Sequence, residues 1–171
     1  GTAASSKSWL AIGGVRLGQP SELAKIAVVL MLARVLSAQR TAPTSLFGLW
    51  RPAVITLVPW VLIMAQPDLG TGLVFIGVFF AMLFWSGVSW PLLLMVASPG
   101  ISLVLAFGPG VWGAWFFALL ALLWWRRPSA LESTMVVAAN VLMGVVAPLL
   151  WAKMNPYQQR RLLVFLDPSI D

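Results

Sequence analysis

Six continuous apolar runs, near residues 20–38, 52–66, 69–87, 90–107, 111–125 and 134–152, leave this chain few folds to choose from. A helix needs roughly 20 apolar residues to cross a bilayer, and four of the runs approach that length. The second and fifth, at about 15 residues, would tilt little, re-enter or thin the bilayer locally. A β-barrel fits poorly, because the runs are continuous rather than alternating and longer than barrel strands. Hydrophobic residues make up 60% of the chain and charged residues 9%, with a mean hydropathy of +0.93, beyond what a soluble core requires. The 171 residues therefore predict an all-α fold, a single polytopic transmembrane bundle of about six spans. Ten Trp against one Tyr cluster near run ends, among them Trp9, Trp50, Trp85, Trp90, Trp112, Trp124, Trp125 and Trp151, as interfacial aromatic belts do.

The chain has no Cys and no His, which removes disulfides, thiolate nucleophiles, imidazole bases and the usual zinc ligands. Acid–base work falls to five carboxylates. The formal charge of +6 suits anionic headgroups or an anionic substrate, and a Lys/Arg excess is also ordinary for membrane loops. Eleven basic residues spread over helix ends form no stripe for nucleic acid. Beginning at Gly1 without Met and ending at Asp171 in a polar stretch, the chain reads as a piece of a longer protein, and no signal-peptide pattern precedes the first run.

Residues 1–18 read as a polar loop, 34–51 as a basic one and 126–132 as another. Six crossings return residues 153–171 to the face that bears 1–18, and Gln66–Asp68 belongs there too. Lys7, Arg16, Lys153, Arg160 and Arg161 fall on that face, and Arg34, Arg40, Arg51, Arg126 and Arg127 on the other, so Lys/Arg counting leaves orientation open. Pro59 and Pro99-Gly100 read as tolerated kinks. Pro156–Leu166, polar and then apolar, reads as an interfacial segment before a turn at Asp167-Pro168.

Two helix starts carry the chemistry. Gln19-Pro20-Ser21-Glu22-Leu23-Ala24-Lys25 places a carboxylate and an ammonium at the edge of hydrocarbon, three residues apart on one helix face. Pro20 suits a first helical position and Glu22 the positive helix end. The pattern recurs at Gln66-Pro67-Asp68-Leu69-Gly70-Thr71-Gly72. With both starts on one face, Glu22, Lys25 and Asp68 are expected to converge where outward-pointing N–H groups attract anions, and Arg160 and Arg161 return there as a phosphate-binding fork. Ionisable groups in spans are functional candidates by default. The plain structural alternatives are an ion pair for Glu22 and Lys25, a dipole-complementing acid for Asp68, and a solvated face for the two arginines. Gly70-Thr71-Gly72 lacks the third glycine of a dinucleotide turn and reads as a packing feature. There is no Gly-Lys-Ser/Thr phosphate loop, and Ser86-Gly87-Val88-Ser89 is no nucleophile elbow.

These residues resemble the SEDS family (shape, elongation, division and sporulation), the RodA/FtsW-like proteins. The resemblance lies in Gln19–Lys25 after Ser8-Trp9-Leu10, in Gln66-Pro67-Asp68-Leu69-Gly70-Thr71, and in Pro156-Tyr157-Gln158 with Arg161 and Phe165-Leu166-Asp167-Pro168, about a quarter of the chain in all. It implies a peptidoglycan glycosyltransferase of the bacterial cytoplasmic membrane, multi-pass, with an extracytoplasmic active face. It also implies lipid II as substrate, undecaprenyl pyrophosphate as leaving group and a class B penicillin-binding protein as partner. Residues 1–18 then become an extracytoplasmic loop and 153–171 the start of a large one.

By motif position, Glu22, Lys25 and Asp68 correspond to the family's polar cavity and Arg161 to the Arg at the large loop's entrance. Within the glycosyl transfer so expected, Lys25 and Arg161, with Arg160, are assigned to substrate phosphate, Glu22 to holding Lys25, and Asp68 to shaping the cavity or binding a divalent cation such as Mg or Mn. The general-base Asp belongs to a His-Thr-Asp setting further along, so this stretch alone is expected to be inactive. The runs at 111–125 and 134–152 read as an extra pair of spans beyond the family pattern. A lipid-linked precursor flippase and a non-catalytic membrane scaffold are the other function classes open to such a chain.

Overall fold

The computed structural model describes residues 10–12, 15–18, 20–39, 41–65 and 68–153. A short antiparallel hairpin, β1 (Leu10–Ile12) and β2 (Val15–Gly18), precedes six helices. These are α1 (Pro20–Ser37), α2 (Trp50–Met64, entered through a 3-10 turn at Phe47–Leu49), α3 (Leu69–Trp85), α4 (Trp90–Leu105), α5 (Pro109–Arg126) and α6 (Ala130–Lys153). The helices coincide within a few residues with the six apolar runs. The hairpin replaces part of the expected polar loop. It pairs Ile12 with Val15 and Ala11 with Arg16, then slips by one residue at Leu10 opposite Gly18.

The chain divides into two compact units, residues 1–93 and 94–171, with the division inside α4. In the first, α1, α2 and α3 pack against one another. Ser21, Val28, Leu32 and Leu36 bury one stripe of α1, and Phe75, Phe79 and Leu83 bury one stripe of α3, at the three- and four-residue steps of a helical face. The remaining faces are apolar as well: Leu23, Ile26 and Leu30 on α1 and Leu73, Val74 and Phe84 on α3 stand exposed. Helices hydrophobic all round, with a single protein-facing stripe, need a hydrocarbon solvent. Phe47–Met64 and Ala130–Lys153 are long and apolar enough to cross a membrane, and α3, α4 and α5 contribute shorter apolar stretches.

Lipid offers little hydrophobic drive to bring helices together, so close approach and hydrogen bonds decide the packing. Between α2 and α3, the Trp60 indole N–H donates to the Gly72 carbonyl at 3.1 Å. A Cβ on Gly72 would run into the Met64 methyl and stand 3.4 Å from the indole nitrogen. Gly72 is thus a packing glycine, as its setting in Gly70-Thr71-Gly72 suggested. α3 closes on Gly87 (φ +84°), where Val88 N–H reaches the Leu83 carbonyl at 3.1 Å and Gly87 N–H the Phe84 carbonyl at 3.0 Å, a Schellman ending.

The second unit is tied by a buried polar network. Ser98, Ser102 and Asn140 are each fully buried. Asn140 donates from Nδ2 to Ser98 Oγ and to the Val136 carbonyl, both at 2.8 Å, and accepts at Oδ1 from Ser102 Oγ at 2.5 Å. The Trp115 indole donates to Ser102 Oγ at 3.1 Å, and Ser98 donates to the Met95 carbonyl at 2.7 Å. Every polar atom of the Asn140 side chain is engaged, the condition under which a buried network stabilises. Gly144 lets α6 meet Trp112: an added Cβ would lie 2.6 Å from indole carbons, and that indole stacks on Phe116 with centroids 5.1 Å apart.

α6 begins at Ala130, four residues before the expected 134. A reciprocal cap causes this: Ser129 Oγ accepts from Glu132 N–H at 3.3 Å, and Glu132 Oε2 accepts from Ser129 N–H at 3.2 Å. Pro59, Pro99 and Pro148 all lie inside continuous helices.

Candidate functional site

Glu22 and Lys25 occupy the first turns of α1, where Lys25 Nζ donates to Glu22 Oε1 at 2.6 Å. The ammonium is partly covered, with its side chain 25% exposed, while the Glu22 side chain is 61% exposed and open to further partners. Such an exposed pair adds little to stability. It does fix where the ammonium sits. Ser21, just before Glu22, is buried, and its hydroxyl has no hydrogen-bond partner.

Asp68 is the N-cap of α3. Its Oδ1 accepts from the Thr71 N–H at 3.0 Å and its Oδ2 from the Thr71 hydroxyl at 2.6 Å. These two bonds, the hydroxyl first, hold its pKa below the ordinary carboxylate value; Lys25 lowers it further, and partial burial opposes them. α1 and α3 pack against each other, and Lys25 is the smallest of the influences on the Asp68 carboxyl. Two carboxylates against one ammonium leave Glu22, Lys25 and Asp68 with a net single negative charge. That balance suits sugar hydroxyls or a cation better than an unaccompanied anion, so phosphate binding needs more positive charge. Arg160 and Arg161 lie outside the described residues, as do Gln19, Gln66, Pro67, Tyr157 and Asp167.

Among the described residues, no group of three His, Cys, Asp or Glu side chains stands together as metal ligands. Asp68 also engages both oxygens with Thr71. These residues by themselves do not make a cation cage.

Sequence reasoning missed three participants: Thr71, the Ser21 hydroxyl and the Trp60 clasp on Gly72. The Asp-x-x-Thr spacing after a Pro is a readable N-cap signal for Thr71. Ser21 and Trp60 carry no comparable signal, because packing alone decides whether a hydroxyl or an indole finds a partner.

Residues 1–128 match the family described as "Cell cycle protein", that of FtsW, RodA and SpoVE. The chain belongs to the SEDS family. Among curated SEDS proteins, it is 41% identical over 166 residues to the "Peptidoglycan glycosyltransferase MrdB" of Escherichia coli, covering 97% of this chain and 33% of that protein. It is 31% identical over 195 residues to the "Peptidoglycan glycosyltransferase RodA" of Treponema pallidum, covering 97% of this chain and 45% of that protein. "Stage V sporulation protein E" of Bacillus subtilis is 40% identical over 83 residues, 48% of this chain and 22% of that protein. The chain thus spans between about a fifth and less than half the length of these SEDS relatives. The family match takes in α5 and stops at the turn before α6. No solved structure matches.

Proposed function

We propose that this chain is a membrane-embedded part of a peptidoglycan polymerase that transfers growing glycan between lipid II molecules in the bacterial cytoplasmic membrane, working on the extracytoplasmic face. The observation that supports the reading is the pair of acid-bearing helix starts on two packed helices, with Lys25 held by Glu22 on α1 and Asp68 capping α3 through Thr71. The MrdB and RodA relatives, each named a peptidoglycan glycosyltransferase, support the same reaction class.

In the proposed reaction, an acceptor sugar hydroxyl attacks the lipid-linked anomeric carbon, a carboxylate beyond this chain takes its proton, and undecaprenyl pyrophosphate leaves with inversion. Glu22 holds Lys25 toward the departing phosphates, Arg161 with Arg160 supplies the remaining positive charge, and ionised Asp68 fixes the cavity wall and accepts hydrogen bonds from sugar hydroxyls. Ser21 offers an unused donor one residue before Glu22. A class B penicillin-binding protein is the proposed partner, cross-linking the strands that are made.

The test is lipid II polymerisation by the full-length parent in proteoliposomes, read together with lipid II translocation. Asp68→Asn is expected to reduce polymerisation on the order of 100-fold through misplacement of the cavity wall. Lipid II translocation without polymerisation, lost in the variant, would instead make the protein a flippase. Neither polymerisation nor translocation, with partner binding lost in the variant, would make it a scaffold.

A further inference from the structure

The lipid-facing stripe of α5 runs through Phe117, Leu120 and Trp124 at helical spacing and ends at Arg127. Phe117 and Trp124 are among the most exposed large side chains, at 73% and 77%. The Arg127 guanidinium carbon lies 5.8 Å from the centroid of the Trp124 ring. The backbone at this point is unusual. Arg127 ends the helix at φ 46°, ψ 54°, the only positive-φ residue other than glycine among the described residues, with its N–H on the Leu123 carbonyl at 2.8 Å. Glycine is the ordinary occupant of such an ending, and an Arg there carries backbone strain. Glycine would take this ending without that strain.

The first unit repeats the arrangement independently. Trp50, Val54, Leu57 and Val61 form an exposed stripe on α2, and the Arg51 guanidinium carbon stands 5.3 Å from the centroid of the Trp50 ring. Each stripe joins an apolar track, suited to an acyl chain, to a Trp with a guanidinium over its ring at the polar end of the helix. Glu132, the nearest acid in sequence to Arg127, is 5% exposed and bonded to Ser129. Charge complementarity therefore selects an anionic headgroup over a zwitterionic one.

We propose that Trp124–Arg127 and Trp50–Arg51 are binding sites for single anionic phospholipids, each holding a headgroup phosphate on its guanidinium and an acyl chain along its stripe. This stands apart from the polymerase reading and survives its failure.

Native mass spectrometry of the full-length parent, in detergent doped with phosphatidylglycerol or phosphatidylcholine, tests it. Phosphatidylglycerol is expected to be retained preferentially. Arg127→Gly and Arg51→Gln are each expected to weaken its retention about fivefold while leaving phosphatidylcholine unchanged. Arg127→Gly relieves the positive-φ strain, so a folding defect cannot account for its loss. Soluble glycerol phosphate is expected not to compete, and effective competition would replace the lipid site with a free-phosphate site. Equal retention of the two lipids, or variants that bind like the unaltered protein, would overturn the proposal.

Discussion

Ser21, Thr71 and Asp68 separate structural duty from proposed chemistry at the level of single side chains. The Ser21 hydroxyl is buried and unpartnered, so removing it relieves a desolvated donor. Ser21→Ala is expected to leave thermal stability unchanged or raised by about 1 kcal/mol, while lowering polymerisation if the hydroxyl meets substrate. A drop in stability without loss of activity would make Ser21 a plain packing residue. Thr71 supplies both hydrogen bonds that hold Asp68 in its cap. Thr71→Val keeps the N–H and deletes the hydroxyl, at an expected cost of about 1 kcal/mol. The pKa of Asp68 is depressed on folding, so its stabilising contribution is complete above the ordinary value of about 3.9 and is lost as pH falls through the lower folded value. Thr71→Val moves that loss to higher pH, which acid titration of helicity measures. The acid at the head of the apolar run was readable from Gln66-Pro67-Asp68. Its partner Thr71 was readable in principle, and the orphaned state of Ser21 was not.

At the level of helices, the buried Asn140 network and the Gly144–Trp112 contact carry the packing of the second unit. Asn140→Leu leaves the Ser102 O–H without an acceptor and Ser98 Oγ without its donor, and is expected to cost about 1–3 kcal/mol. The triple change Ser98→Ala, Ser102→Ala and Asn140→Leu, which removes polar partners together, is expected to cost less than the sum of its parts; thermal unfolding in detergent checks both. Gly144→Leu forces a branched side chain into a rigid indole and is expected to destabilise by about 1–3 kcal/mol. The six helices were legible as apolar runs because length and hydropathy set them. The starting residue of α6 was legible too, in Ser129-Ala130-Leu131-Glu132, a capping box that the neighbouring Arg126-Arg127-Pro128 obscured behind a loop-like composition. The hairpin was signalled by Gly13-Gly14 between Ile12 and Val15. The Asn140 network was not legible, since residues about 40 apart in sequence must first be brought face to face. Pro59 and Pro99 are carried within continuous helices, as tolerated kinks would be.

For the molecule as a whole, an all-α membrane fold and SEDS membership rest on helices apolar on every face and on a family match through residue 128. Sidedness is not decided by the Lys/Arg count of the loops expected from sequence, which is five to five when Lys25 is left in its helix. The central claim is that the entrances of α1 and α3 form one polar hollow at one membrane face. The chain contains no Cys, so single cysteines placed in this stretch report cleanly once any others in the full-length parent are replaced. The decisive measurement is labelling of Glu22→Cys and Asp68→Cys by a membrane-impermeant maleimide in intact cells, paired with cross-linking of the double variant. Labelling of both from outside, with cross-linking between them, is the predicted result. Labelling from opposite sides, or protection of both by lipid with no cross-link, would contradict it.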